Sequence, residues 1–309
     1  MKNRLIVILT LACLWPLFST ALRAQDAAAY VVADATSGHI LLSHRPEKKL
    51  PVASLTKIAT AMVVFDWMDV SKQDQGTLAT VPPGVNQVDN ANPIGLQPGD
   101  QLSIRDLLYA MLIQSDNIAA YTLADHVGRN LQRNTRNGEK PVDLFVAQMN
   151  ALARKLGMTH TAFLNPHGLD NEESPYSTAR DLVLLTRAAM QRSGFRFYVS
   201  QKERQITRHL ATGGTVQYNL ANTNELLGVN AIDGVKTGRS EHAGECVVIS
   251  AARAPESVQN PDGSFTITPR RLIVVVLGSR SRFNDASSLL SEGWNLYDQW
   301  AAQGRPLEK

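Results

Sequence analysis

Ser54 and Lys57 stand three residues apart in the stretch Pro51-Val52-Ala53-Ser54-Leu55-Thr56-Lys57. Apolar residues Ile58, Met62, Val63 and Phe65 follow without Gly or Pro, and the run reads as a buried helix. With Ser54 at the helix start, one turn brings Lys57 to the same face. The hydroxyl then has an amine within reach of its proton. It also has a helix N-terminus that favours developing negative charge, and free backbone N–H groups around it. These are the parts of an acyl-transfer nucleophile. Alone, the pair also fits an N-capping serine followed by a surface lysine, and about one Ser-x-x-Lys arises by chance at average composition.

Two further triplets carry polar groups that could face such a nucleophile. Ser115-Asp116-Asn117 interrupts an apolar helical pattern, where side chains can project from a rigid base. Lys236-Thr237-Gly238 follows Ala231-Ile232-Asp233-Gly234-Val235 on an expected strand. Each has a plain structural reading by itself, a helix cap for the first and an exposed strand lysine for the second.

The elements that must position these residues follow in order. Tyr30–Asp34 and Ile40–Leu42 read as a hairpin joined by Thr36-Ser37-Gly38-His39, leading directly into the Ser54 helix. Residues 71–99 are polar and rich in Pro and Gly and read as loops with room for short strands. Ser103 has capping-box spacing to Asp106, and a helix runs through Leu107, Leu108, Met111 and Leu112. A second helix covers Ile118–Val127, and Gly128–Lys140 reads as a basic, solvated connection. Asp143–Leu156 is a helix ended by Gly157, Asn165–Asp170 a turn, and Thr178 the cap of a helix carrying Leu182, Leu185 and Ala189. From residue 193 the pattern turns strand-like, with candidates Val216–Leu220, Val235–Gly238, Cys246–Ala251 and Leu272–Gly278. Asn260-Pro261-Asp262-Gly263 is the turn between the last two. A final helix, Ala286–Trp300, places Leu289, Leu290, Trp294, Tyr297 and Trp300 on one face. Hairpin, helical block, antiparallel strands and terminal helix together predict one sheet around an inserted helical lobe, an α+β plan. The sheet lobe is expected over about residues 28–66 and 194–302, and the helical lobe over 67–193.

Composition narrows the partners. The chain has 309 residues, 44% hydrophobic and 19% charged, an ordinary globular balance. Residues 1–24 read as a secretory signal. Lys2 and Arg4 precede the apolar core Ile6–Phe18, and small residues reach Ala24. The competing reading is a membrane anchor, for which the core is short. Cleavage after Ala24 removes Lys2, Arg4 and Arg23, bringing the formal charge from +3 to zero. No stable membrane anchor is then expected, and nucleic-acid binding loses its electrostatic basis. Cys13 leaves with the signal, and Cys246 remains as one thiol in a buried-strand pattern. No metal-ligand motif is visible, and no cofactor is expected.

Ser-x-x-Lys, Ser-Asp-Asn and Lys-Thr-Gly in this order form the set found in penicillin-binding proteins and class A β-lactamases. The chain resembles the serine-type D-Ala-D-Ala carboxypeptidases, the low-molecular-mass penicillin-binding proteins, over about residues 28–302. Leu156-Gly157-Met158-Thr159, Asn165-Pro166-His167-Gly168-Leu169, Ser177-Thr178-Ala179-Arg180-Asp181 and Asp233-Gly234-Val235 also resemble family sequence. The resemblance implies an antiparallel sheet flanked by helices with an inserted all-helical lobe. It implies Ser54 as the acylated nucleophile and Lys57 as the amine that takes its proton. Ser115 and Asn117 would line the opposite wall, relaying a proton and holding a substrate amide. Lys236 and Thr237 would receive the terminal carboxylate, with Gly238 allowing close approach of the substrate. The N–H groups of Ser54 and Arg239 would form the oxyanion hole. Partners implied are peptidoglycan stem peptides, with β-lactam antibiotics as inhibitors, in a periplasmic or other extracytoplasmic setting.

The chain departs from the family pattern in three places. Arg239 follows Lys-Thr-Gly where His or Tyr is common, and its guanidinium is expected to supplement Lys236 on the carboxylate. Thr223 stands in Asn222-Thr223-Asn224 where some members carry arginine. The sequence stops at Lys309, as in the shorter soluble members, some of which are D,D-endopeptidases. Carboxypeptidase and endopeptidase both remain open, since both use the same Ser54 chemistry. A β-lactamase would need a Glu-x-x-Leu-Asn element, whose context Glu172 and Glu173 lack. A non-catalytic wall-binding protein would be favoured by loss of Ser54 or Lys57, and both are present.

Overall fold

The computed structural model describes residues 26–87, 92–133, 138–170 and 175–307. The expected signal, residues 1–24, and Glu172 and Glu173 lie outside them. The elements are β1 (Ala29–Asp34), β2 (Ile40–His44), β3 (Leu50–Pro51), α1 (Lys57–Ser71), β4 (Leu78–Thr80), β5 (Gln101–Ser103), α2 (Ile104–Ile113), α3 (Asn117–Gln132) and α4 (Pro141–Lys155). They continue with β6 (Tyr176–Ser177), α5 (Ala179–Gln191), α6 (Ser193–Val199), β7 (Glu203–His209), β8 (Thr215–Ala221), β9 (Ile232–Ser240), β10 (Gly244–Gln259), β11 (Phe265–Ser279) and α7 (Arg282–Ala302).

The main sheet has five antiparallel strands in the order β2-β1-β11-β10-β9. Its inner strands are buried on both faces, which explains runs such as Val274-Val275-Val276 without polar alternation. Val32, Val247, Ile249, Val274 and Val276 join Leu289, Leu290, Trp294 and Tyr297 of α7 in one cluster. Val31, Ala33, Val248, Ile273 and Val275 face the opposite way and join the larger core with α1, α2, α3 and α5. α1 lies in the middle of that core. Ile58, Ala59, Ala61, Met62, Val63, Val64, Phe65, Trp67 and Met68 are all buried, as expected of a helix that is apolar around its whole circumference.

The α+β plan and the order of its elements match the sequence reading, and the capping serine and threonine act as caps. Ser103 Oγ accepts from Asp106 N at 3.0 Å, and Thr178 Oγ1 from Asp181 N at 3.0 Å. Several boundaries differ. α3 does not stop at Val127 but runs to Gln132. Gly128 is inside it because Pro141 crosses there: a Cβ would meet Pro141 O at 1.9 Å. Ser193–Val199 is a helix rather than strand-like, with Phe195, Tyr198 and Val199 on its buried side. β10 and β11 extend into a long ribbon around the expected turn at Asn260–Gly263, well beyond the core segments Cys246–Ala251 and Leu272–Gly278. α5 packs on β1 and β11 of the main sheet, whereas β7 and β8 pair with β4 and β5 in a second, four-stranded sheet. β5 and β7 are not read from the sequence: β5 has three residues, too few to show a period, and β7 has no alternation of buried and exposed residues.

Candidate active site

Ser54 sits in a single 3-10 turn, Ala53–Thr56, whose end runs directly into α1. The apolar run of α1 anchors that turn against the sheet. Ala53 has φ +46, and the docking loop 165–170 holds it there. Gly168, at φ +86, packs so closely that a Cβ would meet Ala53 O at 2.0 Å. Pro166 O in the same loop accepts from Thr60 Oγ1 at 2.6 Å, one turn along α1.

Lys57 is fully buried, and its ammonium position is defined by three oxygens. Nζ lies 2.7 Å from Ser54 Oγ, 2.6 Å from Asn117 Oδ1 and 3.1 Å from His167 O. The amide oxygen and the carbonyl can only accept. A neutral amine has two N–H bonds, and these two acceptors use both. Its lone pair is then left for the Ser54 hydroxyl. Burial pushes Lys57 down to about 7 from 10.5, against the nearby Asp116 carboxylate, which favours the charged form. A base with this affinity is half neutral near neutral pH, as proton abstraction requires. Burial is thus what depresses Lys57. Lys236 also lies well below its ordinary value, from burial, from Lys57 and from Arg282.

The Ser115–Asn117 segment occupies the break between α2 and α3. Asp116 is both a cap and an electrostatic partner. Its Oδ1 accepts from Ala119 N at 2.8 Å, and burial raises the carboxyl to about 6. Ser115 is held at φ +65, an uncommon conformation for a non-glycine residue. That turn carries Ser115 onto the cavity wall while Asn117 reaches inward to Lys57.

β9 forms the facing wall. Lys236 is buried and donates to Thr237 O at 3.0 Å. Thr237 Oγ1 lies 2.6 Å from Thr223 Oγ1, so the residue standing where some members carry arginine is tied to the threonine of Lys-Thr-Gly. At Gly238 a Cβ would meet Val52 O at 2.9 Å and Ser54 N at 3.2 Å. The glycine therefore permits β9 to press against the Ser54 turn itself. The sequence reading had it make room for substrate. Arg239 is exposed at the rim.

Ser54, Ser115, Thr237, Gly238 and Arg239 line one open cavity of about 400 Å³. Lys57, Asn117 and Lys236 stand behind it as buried groups. Arg282, not singled out from sequence, also lines this cavity from the first turn of α7. Its Nη1 donates to Gly238 O at 2.9 Å, and its Nε is buried without a partner among the described residues. It adds a second cation beside Thr237 and Gly238. Nothing in the local sequence around Arg282 marks it out. His167 is the other omission. It acts through its carbonyl on Lys57, a role that carries no side-chain signature.

Comparison with known proteins bears on this geometry. The peptidase S11 family model, described as D-alanyl-D-alanine carboxypeptidase, matches residues 18–260. The chain belongs to this family. Among its S11 relatives, the D-alanyl-D-alanine carboxypeptidase DacC of Escherichia coli K12 is 33% identical over 285 residues, covering 88% of this chain and 62% of that protein. The D-alanyl-D-alanine endopeptidase of Pseudomonas aeruginosa is 30% identical, covering 84% of this chain and 74% of that protein. The S11 fold is also seen in the ampicillin-bound penicillin-binding protein D2 of Listeria monocytogenes, at TM-score 0.69 and 28% identity over 88% of this chain and 98% of that one. The chain thus spans less than two thirds of DacC, and the same holds for the DacD and DacA carboxypeptidases it matches, at 62–63% of their length.

The Lys57 environment in this S11 chain makes a pH prediction. Only the neutral amine can take the Ser54 proton, and the neutral fraction grows as pH rises through about 7. Penicillin acylation rates, followed by stopped-flow or gel labelling, should rise along an acid limb centred there and level off above it. A rate that is flat from about pH 5 to about pH 9 would assign Lys57 a role other than base.

Proposed function

We propose that this protein is a serine D,D-peptidase acting on peptidoglycan stem peptides, and that its reaction is D-Ala-D-Ala carboxypeptidation through an acyl-enzyme on Ser54. The observation that carries the reading is the fully buried Lys57, whose Nζ stands 2.7 Å from Ser54 Oγ and is held there by Asn117 Oδ1 and His167 O.

The steps follow from the groups in reach. Lys57 takes the Ser54 proton as Oγ attacks the carbonyl of the penultimate D-alanine. The developing oxyanion accepts from the backbone N–H groups of Ser54 and Arg239. Ser115 relays the proton to the departing amine, and Asn117 holds the peptide amide. The terminal carboxylate meets Lys236, Thr237 and Arg282. Its negative charge favours the protonated form of Lys236, so ligand and proton enter together. Water then hydrolyses the ester, with Lys57 again as base. A β-lactam imitates the peptide and stays as a slow acyl-enzyme.

The family setting supports a cell-wall enzyme working outside the cytoplasm, exported by the signal read at residues 1–24. Among the described residues no helix is long and apolar enough to cross a membrane. The second reading, D,D-endopeptidase, is favoured by one observation, the likeness to the P. aeruginosa endopeptidase over most of its length. Both reactions share the acylation step and differ in the leaving group.

Digestion of defined muropeptides separates them. Release of free D-alanine from pentapeptides is the expected result. Conversion of cross-linked dimers to monomers without D-alanine release would replace carboxypeptidase with endopeptidase. Stable labelling by a fluorescent penicillin supports a D,D-peptidase, whereas rapid turnover of the label would indicate a β-lactamase. Absence of any label would indicate a binding protein.

A further inference from the structure

β9 is the outermost strand of the main sheet, with β10 on one side of it. Its register against β10 runs unbroken from Val235 to Ser240. Thr237 and Arg239 therefore project from the same face, about 6–7 Å apart along the strand. Both line the cavity that contains Ser54.

Arg239 differs from the cations around it. Lys236 and Arg282 are each engaged with a backbone carbonyl of β9. Elsewhere Arg192, Arg208, Arg253, Arg270 and Arg305 each hold an acid. Arg239 is exposed, and among the described residues its guanidinium makes no ion pair and no hydrogen bond. The nearby Asp170 accepts from Ser240 Oγ and stands 3.8 Å from His242 Nδ1. Glu245 lies opposite Arg239 in the ladder without forming an ion pair with it. The cavity rim thus presents an arginine with all of its donors open.

Two points fix how an extended peptide lies on β9 under the reading proposed above, on which this inference rests. The terminal carboxylate goes to Lys236, Thr237 and Arg282. The scissile carbonyl goes to Ser54, whose N is 3.2 Å from the site of a Cβ on Gly238. The peptide therefore runs antiparallel to β9, as an added edge strand. Its acyl part continues past Gly238 towards Arg239 and Ser240. The guanidinium stands beside the residues that precede the scissile bond, away from the leaving D-alanine.

We propose that Arg239 reads a carboxylate on the side chain of the residue preceding the D-Ala-D-Ala pair. It selects stem peptides in which that residue is a diamino diacid with a free terminal carboxylate. Peptides in which the carboxylate is amidated, or in which a simple diamino acid takes its place, lack the group the guanidinium binds. Arginine suits this task because its planar fork meets a carboxylate with two parallel hydrogen bonds.

The test uses synthetic peptides ending in D-Ala-D-Ala that differ only at the preceding residue, diaminopimelate against its side-chain amide. A third peptide carries diaminopimelate and an amidated C-terminus. D-Alanine or D-alaninamide release is measured for the wild-type protein and for Arg239→Ala. The wild type should prefer the side-chain acid by about 10-fold in kcat/KM, the low end for a charged hydrogen bond because the rim is exposed. Arg239→Ala should bring that acid-to-amide ratio close to one. Equal use of acid and amide by the wild type would overturn the proposal, as would a ratio that survives the substitution. A loss in Arg239→Ala that depends instead on the C-terminal carboxylate would place the guanidinium on the leaving side and also overturn it. Absence of release from every peptide would remove the D,D-peptidase reading and this inference together, whereas release without discrimination removes the inference alone.

Discussion

Ser54→Ala is expected to abolish covalent labelling by penicillin completely. In the proposed reaction the acyl bond is made to Ser54 Oγ, and among the described residues no hydrogen bond joins Ser115, the other serine lining the cavity, to an amine. The fold should survive. Ser54 is half-buried, its hydroxyl makes its contact with Lys57, and the turn around it is held by Gly168, Leu55 and α1. Loss of one hydrogen-bond partner leaves Lys57 with Asn117 and His167, which satisfy the two N–H bonds of a neutral amine. A melting temperature near that of the wild type together with no adduct by intact-mass spectrometry is the expected pair of results. A penicilloyl adduct on the variant would show that another residue is the nucleophile.

Lys57→Arg is expected to slow acylation by about 10²- to 10⁴-fold, the usual cost of losing a general base. Guanidinium keeps the charge and the donors but has no lone pair to offer at any working pH. The site also has no room for it. Lys57 is wholly enclosed, with acceptors at 2.6 and 3.1 Å that define a point rather than a planar fork. The residual rate should lose the acid limb near pH 7, because the group responsible no longer titrates. That second readout separates loss of the base from simple crowding. A variant acylated slowly but with the limb intact would point to steric damage alone, and near-normal acylation would show that Lys57 only positions Ser54.

Much of this site is legible in the chain because it is local. Ser54 and Lys57 meet through one helical turn, a distance set by backbone geometry whatever else the protein does. The caps at Ser103 and Thr178, the turn at Asn260–Gly263 and the Val-rich inner strands follow from equally short-range rules. The order of the three motifs then carries the family, and with it the fold. Other features are set by contacts distant in the chain. Gly128 reads as a helix end until Pro141 is seen crossing it, and at Gly238 the close approach of Val52 and Ser54 has no signal in the local sequence.

Tertiary structure decided the chemistry that distance along the chain conceals. Asn117 and His167 reach Lys57 from 60 and 110 residues away, and together they hold its Nζ beside Ser54 Oγ. Arg282 comes to Gly238 across 44 residues from the start of a helix on the other face of the sheet. Above all, the sequence names a lysine, whereas only the assembled core lowers its proton affinity to about 7, as the proposed role of base requires. A lysine in water holds its proton at neutral pH. Desolvation depends on every atom that excludes water from Nζ, and those atoms come from α1, α3 and the 165–170 loop at once. Residue type and spacing are properties of the chain, but burial and charge–charge energy belong to the whole fold.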